Sequence, residues 1–193
     1  MASYVVVYAS SEGQTRLVAE RLADELRAAE HDADAIDFRA ADVHAALEAA
    51  DAIVLAGSVH MGRLHRGLAG FASRCAPALS DRPSALVVVC LTASKPGPEA
   101  EATMNGYVDA FLSSTTWKPD VVEFVAGALR PSRLGFLQRK LIAIVSRKEG
   151  LAVPPEGIEF TDWEALGRFA RALSAWFPRV GVATRAPQRS PRV

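Results

Sequence analysis

Ser10-Ser11-Glu12-Gly13-Gln14-Thr15 stands between an apolar run, Tyr4–Ala9, and a segment with helical periodicity. A buried strand that ends in a hydroxyl- and Gly-rich turn and reopens as a helix makes an anion cradle. The helix's first backbone N–H groups have no intrahelical partner, and its dipole favours negative charge there. The turn lacks the Lys of a Walker loop and the three-Gly spacing of a dinucleotide fingerprint. A single phosphate monoester fits better, and that points to flavin mononucleotide (FMN). In this reading Ser10 and Thr15 bring hydroxyls to phosphate oxygens and Gly13 lets the backbone approach, with Ser11 and Gln14 completing the loop. Glu12 is expected to contribute only its backbone, with its carboxylate turned outward. A plain Ser/Gly turn capping a helix would use the same residues.

Two further loops follow apolar runs. Gly57-Ser58-Val59-His60-Met61-Gly62-Arg63 has two glycines that let backbone lie close to a flat ring. Ser58 can bond a polar ring edge, and His60 or Met61 can lie on a ring face. A surface histidine and a core methionine are the ordinary alternatives. Leu91-Thr92-Ala93-Ser94-Lys95-Pro96-Gly97-Pro98 offers small residues and N–H groups to a pyrimidine edge, or is an ordinary Pro/Gly loop. His31, His44, His60 and His65 fall on different elements, so no metal site and no catalytic triad is expected. The chemistry is then the cofactor's, with the protein orienting it.

Five apolar runs must position these loops: Tyr4–Ala9, Ala33–Phe38, Ala52–Ala56, Ser84–Leu91 and Val121–Ala126. All but the second are near-continuous hydrophobics, as parallel strands covered on both faces require. The second, with Asp34 and Asp37, reads as an edge. Helical patterns alternate with the runs. Val18, Leu22, Leu26 and Ala29 share one face, Val43–Ala49 is a short helix, Leu64–Cys75 stops near Pro77, and Pro98–Leu112 opens on proline. Thr161-Asp162-Trp163-Glu164 has capping-box spacing and predicts a final helix through Phe177. The fold class is therefore α/β, a flavodoxin-like doubly wound sheet of five parallel strands in the order 2-1-3-4-5. Its ligand sits beyond the strands' carboxyl ends.

Residues 1–177 form one such domain, interrupted after the fifth strand by a long insertion at 129–160. Within the insertion Leu134, Leu137, Leu141, Ile144 and Val145 share a helical face amid Arg130, Arg133, Arg139, Lys140, Arg147 and Lys148. Such a stripe, 130–148, suits a membrane interface, an apolar anionic ligand or packing on its own domain. Residues 178–193, rich in Pro and Arg, read as a disordered tail. Lys plus Arg (22) equals Asp plus Glu (22), which argues against a nucleic-acid partner. Cys75 and Cys90 form no disulfide framework or zinc pattern and are expected to be small buried hydrophobes. No signal peptide and no bilayer-spanning stretch is evident, so the expected place is the cytoplasm.

From Tyr4 to Trp176 the chain resembles the flavodoxin-like, menaquinone-dependent protoporphyrinogen IX dehydrogenase family. The matching pieces are Ser10–Arg16, Gly57–Gly62, Lys95-Pro96, Trp117-Lys118-Pro119-Asp120, Ala126-Gly127-Ala128-Leu129-Arg130 and Thr161–Glu164. The resemblance implies FMN and oxidation of protoporphyrinogen IX with a quinone acceptor. It also implies Ser10–Thr15 at the phosphate, and Ser58, Val59, His60, Met61 and Gly62 with Leu91, Thr92, Ala93 and Lys95 beside the ring. Arg130, Arg133 and Arg139 would meet the substrate's propionates, with the protein peripheral at the inner membrane. Where relatives carry aromatics in the third-strand loop, this chain has Met61 and Leu64. The residues alone leave open an FMN quinone reductase or electron-transfer flavodoxin with another donor, or a scaffold without cofactor whose insertion binds a membrane or partner.

Overall fold

The structure, a computed structural model, describes residues 1–129, 154 and 157–180. β1 (Ser3–Ala9), α1 (Gln14–Ala28), β2 (Asp32–Asp37), α2 (Val43–Ala49) and β3 (Ala52–His60) open the chain. β4 (Arg63–Leu64), α3 (Arg66–Arg74), α4 (Ala76–Ser80), β5 (Ser84–Cys90) and a 3-10 turn (Leu91–Ser94) follow. α5 (Pro98–Leu112), β6 (Val121–Ala126), β7 (Ala128–Leu129), β8 (Ile158–Glu159) and α6 (Trp163–Val180) complete the described elements.

The main sheet runs β2-β1-β3-β5-β6, all parallel, which is the expected order once the five long strands are counted alone. The short β4 pairs antiparallel with the end of β3 and was not foreseen. β1 and β5 are runs of Val with apolar neighbours, covered on both faces. On one face Val18, Leu22 and Leu26 of α1 and Leu166, Ala170 and Leu173 of α6 pack on Val6, Val54 and Val87. On the other, Leu47, Leu68, Phe71, Leu79 and Phe111 from α2 to α5 pack on Val5, Val7, Leu55 and Val88. Each such Leu or Phe contributes about 1.5–3 kcal/mol by leaving water. Trp117 is fully buried, and its Nε1–H donates to Ser84 Oγ at 3.0 Å. Cys75 and Cys90 are both buried and unbridged.

Three local expectations change. Pro77 does not end the third helical segment; α3 ends at Arg74, and Pro77 sits in the first turn of α4, where its missing N–H is harmless. The Thr161–Glu164 capping box is replaced by Asp162, whose Oδ1 accepts from the Ala165 N–H at 2.8 Å. α6 runs to Val180, beyond Phe177. The ends of the insertion meet, because β7 and β8 pair antiparallel beside β6. The insertion's apolar stripe, Arg130, Arg133 and Arg139, and residues 181–193 of the tail lie outside the described residues. No described helix is long and apolar enough to cross a membrane.

Candidate functional site

The strand order reverses between β1 and β3, so the loops after β1, β3 and β5 converge at one edge, as open α/β sheets demand of a ligand site. There a cleft of roughly 330 Å³ opens, the size of a small-molecule site. Its walls are Ser10, Ser11, Glu12, Gln14 and Thr15 after β1, and Ser58, Val59, His60 and Met61 at the end of β3. Val89 and Cys90 of β5 and Leu91 of the following 3-10 turn close it, with Gly127, Ala128 and Leu129 from the segment after β6.

The first loop is shaped for an anion. Gly13 heads α1 at φ 90°, a left-handed conformation that glycine adopts without steric cost. Its N–H donates to Ser10 Oγ at 2.9 Å, which leaves the Ser10 proton to serve as a donor. No side chain caps α1 and its first turn holds no acid, so the helix start presents bare N–H groups. Thr15 is 1% exposed, yet its Oγ1 has no hydrogen-bond partner among the described residues. Ser58 Oγ is equally buried and equally without a partner. Two sealed hydroxyls in a cleft wall are costly unless a ligand satisfies them.

Gln14 holds the loop by its side chain. Its Nε2 donates to Glu159 Oε1 (2.8 Å) and Thr161 Oγ1 (3.0 Å), and Thr161 Oγ1 donates to the Ala126 carbonyl at 2.7 Å. The loop is thereby tied to both ends of the insertion. Glu12 does not turn outward: its Oε1 is buried in the cleft wall, 3.5 Å from His60 Nε2. A carboxylate there gains from the positive end of the helix. Burial pushes the Glu12 carboxyl up, against the opposing pull of His60. Burial also pushes the Cys90 thiol up, while the Ala93 and Thr92 N–H groups pull it down.

Ten of the residues singled out from sequence line the cleft: Ser10, Ser11, Glu12, Gln14, Thr15, Ser58, Val59, His60, Met61 and Leu91. Gly13 and Gly62 shape the turns behind the walls and are not lining residues. Thr92, Ala93 and Lys95 also sit off the lining. Thr92 Oγ1 lies 3.4 Å from Tyr107 Oη, and the Lys95 N–H closes the 3-10 turn on the Thr92 carbonyl. Sequence reasoning missed Val89, Cys90 and Gly127–Leu129, which enter the wall only through strand pairing. The Gly-Ala pair directly after the fifth run was the available signal. Among the described residues no group of His, Cys, Asp and Glu could hold a metal.

The family described as "Flavodoxin domain" matches residues 5–151. Protoporphyrinogen IX dehydrogenase (quinone) of Escherichia coli K12 is 31% identical over 175 residues, covering 88% of this chain and 93% of its own. The chain belongs to this family. The Leishmania major protein of the same name is 30% identical over 176 residues, 89% of this chain and 74% of its own. An oxidised flavodoxin 1 from Bacillus cereus shares the fold at TM-score 0.51 and 16% identity, with 91% of this chain and 99% of that chain covered. A short-chain flavodoxin associated with a bacterial microcompartment does so at 0.55 and 15%, over 94% and 99%. Membership of the dehydrogenase family makes the chain a flavodoxin-fold oxidoreductase, and FMN is the cofactor that goes with that fold. The residues present fit it: the bare helix start, the sealed Thr15 and Ser58 hydroxyls and the small-residue wall at Gly127-Ala128 match a phosphate and a flat ring.

Proposed function

We propose that the protein is an FMN-dependent dehydrogenase that takes hydrogen from protoporphyrinogen IX and passes the electrons to a quinone. The observation that carries this reading is the pair of sealed, unsatisfied hydroxyls, Thr15 and Ser58, in the wall of a cleft at the switch point. The named relatives supply the substrate class. Bound FMN would supply hydride acceptance and electron transfer.

The chain's own residues bind and orient. The N–H groups at the start of α1, the Ser10 proton and Thr15 Oγ1 hold the phosphate. Ser58 bonds the polar edge of the ring, and Val59, Met61 and Leu91 exclude water from it. Gly62, Thr92, Ala93 and Lys95 shape the flanking loops. Glu12 and His60 set the local charge where substrate enters. Arg130, Arg133 and Arg139 bind the propionates, and 130–148 touches the cytoplasmic face of the inner membrane, where a quinone is available.

The test is a single turnover without oxygen. Purified protein carrying FMN is expected to lose its flavin absorbance when protoporphyrinogen is added and to regain it with menaquinone. Flavin that reacts with other donors and ignores protoporphyrinogen would point instead to a quinone reductase or an electron-transfer flavodoxin.

A further inference from the structure

Gln14 is the first residue of α1, so its backbone N–H is one of the bare groups at the helix start. Its buried side chain points the other way, to the far end of the chain. One Nε2 proton goes to Glu159 of β8, 145 residues away, and the other to Thr161, 147 residues away. Glu159 Oε1 also accepts from the Thr161 N–H at 3.2 Å, so carboxylate and hydroxyl form one receiver for the carboxamide. Thr161 donates onward to the Ala126 carbonyl at the end of β6, and the Phe160 N–H donates to the Gly127 carbonyl at 3.1 Å. Gly127, Ala128 and Leu129 are cleft wall, and Ala128 and Leu129 pair with Glu159 and Ile158. Packing alone would be served by an apolar residue at position 14. A carboxamide is tolerated in burial when its donors are met, as both are here. One side chain thus joins the anion end of the cleft to the strand pair from which the insertion departs and to which it returns. Ile158, Glu159 and Thr161 do not line the cleft, so a cofactor acts on them through such links.

We propose that Gln14 is a positioning residue that couples the cofactor's phosphate to the base of the insertion. A phosphate held at the start of α1 fixes the Gln14 backbone, its carboxamide fixes Glu159 and Thr161, and these fix the β7–β8 pair. The inference rests on the FMN of the proposed function and is independent of the electron donor. Such coupling needs no change of shape, because ordering one end of a link lowers the cost of ordering the other. It also runs in both directions. FMN steadies β8, and loosening β8 weakens FMN. Riboflavin, which brings no phosphate to the helix start, does neither.

The experiment uses the full chain. Hydrogen exchange of the apoprotein and of its FMN and riboflavin complexes reads the first direction. FMN is expected to slow exchange across 158–161, and riboflavin to leave it as in the apoprotein. Gln14→Leu cuts the link at its buried end and Glu159→Ala at an exposed position, where the fold tolerates the change. Each should abolish the slowing at saturating FMN. Flavin fluorescence quenching reads the other direction. Each variant should weaken FMN about fivefold or more and leave riboflavin unchanged. Removing the Glu159 carboxylate would by charge alone tighten a phosphate, so a loss there marks the link. The double variant should bind FMN no worse than the weaker single, since both cut the same contact. Glu159→Gln keeps an acceptor for the carboxamide and should restore most of the affinity and of the slowing. FMN that binds without slowing exchange at 158–161 would overturn the inference, as would losses that add in the double variant or fall equally on riboflavin. Each of these leaves FMN binding itself standing. A parent that binds no FMN sinks the proposed function as well.

Discussion

Replacing Thr15 with valine separates a structural hydroxyl from one that awaits a ligand. Thr15 is 1% exposed, and its Oγ1 has no partner among the described residues. Leaving such a group buried costs about 1–3 kcal/mol, whereas a methyl of the same shape has no such cost. Thr15→Val is therefore expected to stabilise the apoprotein. At about 2–4 °C per kcal/mol for a domain of this size, the rise in Tm is several degrees. The holoprotein responds with the opposite sign. A hydrogen bond from Thr15 to a phosphate oxygen is worth about 1.5–3 kcal/mol, and at ~1.4 kcal/mol per decade its loss weakens FMN roughly 10- to 150-fold. Riboflavin, which lacks the phosphate, should bind the variant and the parent equally. Flavin fluorescence quenching gives both affinities, and calorimetry of the apoprotein gives the Tm. An unchanged FMN affinity, an equal loss for riboflavin or a lower apoprotein Tm would each refute the reasoning.

Three further perturbations test the frame around the site. Gly13→Val forces a β-branched residue to φ 90°, so Tm should fall and FMN should be lost on gel filtration, while Gly13→Asn, which tolerates this conformation, should retain more of both. Trp117→Phe leaves the buried Ser84 hydroxyl without its donor, and denaturant unfolding should show a loss of about 1–3 kcal/mol with the cofactor still bound. Glu123 on β6 is half-buried, and desolvation raises its pKa. A carboxyl whose folded pKa lies above its unfolded value destabilises the fold at neutral pH. Glu123→Gln should thus raise Tm at pH 7, with the gain shrinking as pH falls through the raised folded pKa and absent below the usual carboxylate range.

Strand and helix assignments were legible where burial dictates composition. The Val-rich β1 and β5 and the fourfold spacing of Val18, Leu22 and Leu26 leave few other structures open, and α2 matches its predicted bounds at Val43–Ala49. The cleft wall after β1 was legible because it is local, a few residues joining a strand to a helix. What escaped depends on contacts between distant segments. The Thr161 hydroxyl was free to cap α6 in sequence terms, but it is taken by Ala126 and Gln14, and Asp162 caps instead. Glu12 faces His60, 48 residues away, a pairing that exists only once β1 and β3 are neighbours. The β3–β4 hairpin carries Met-Gly where a turn signal would be Asn-Gly, so its strain hid it from sequence.

The measurement that bears most directly on the account is porphyrin formation under strict anaerobiosis. Protein loaded with FMN is mixed with protoporphyrinogen IX and menaquinone while porphyrin fluorescence is followed. The account predicts a rate proportional to protein concentration, abolished by omitting quinone or stripping FMN, and reduced in Thr15→Val at limiting FMN. Fluorescence that grows no faster than in a protein-free control, with FMN verified as bound, would contradict it.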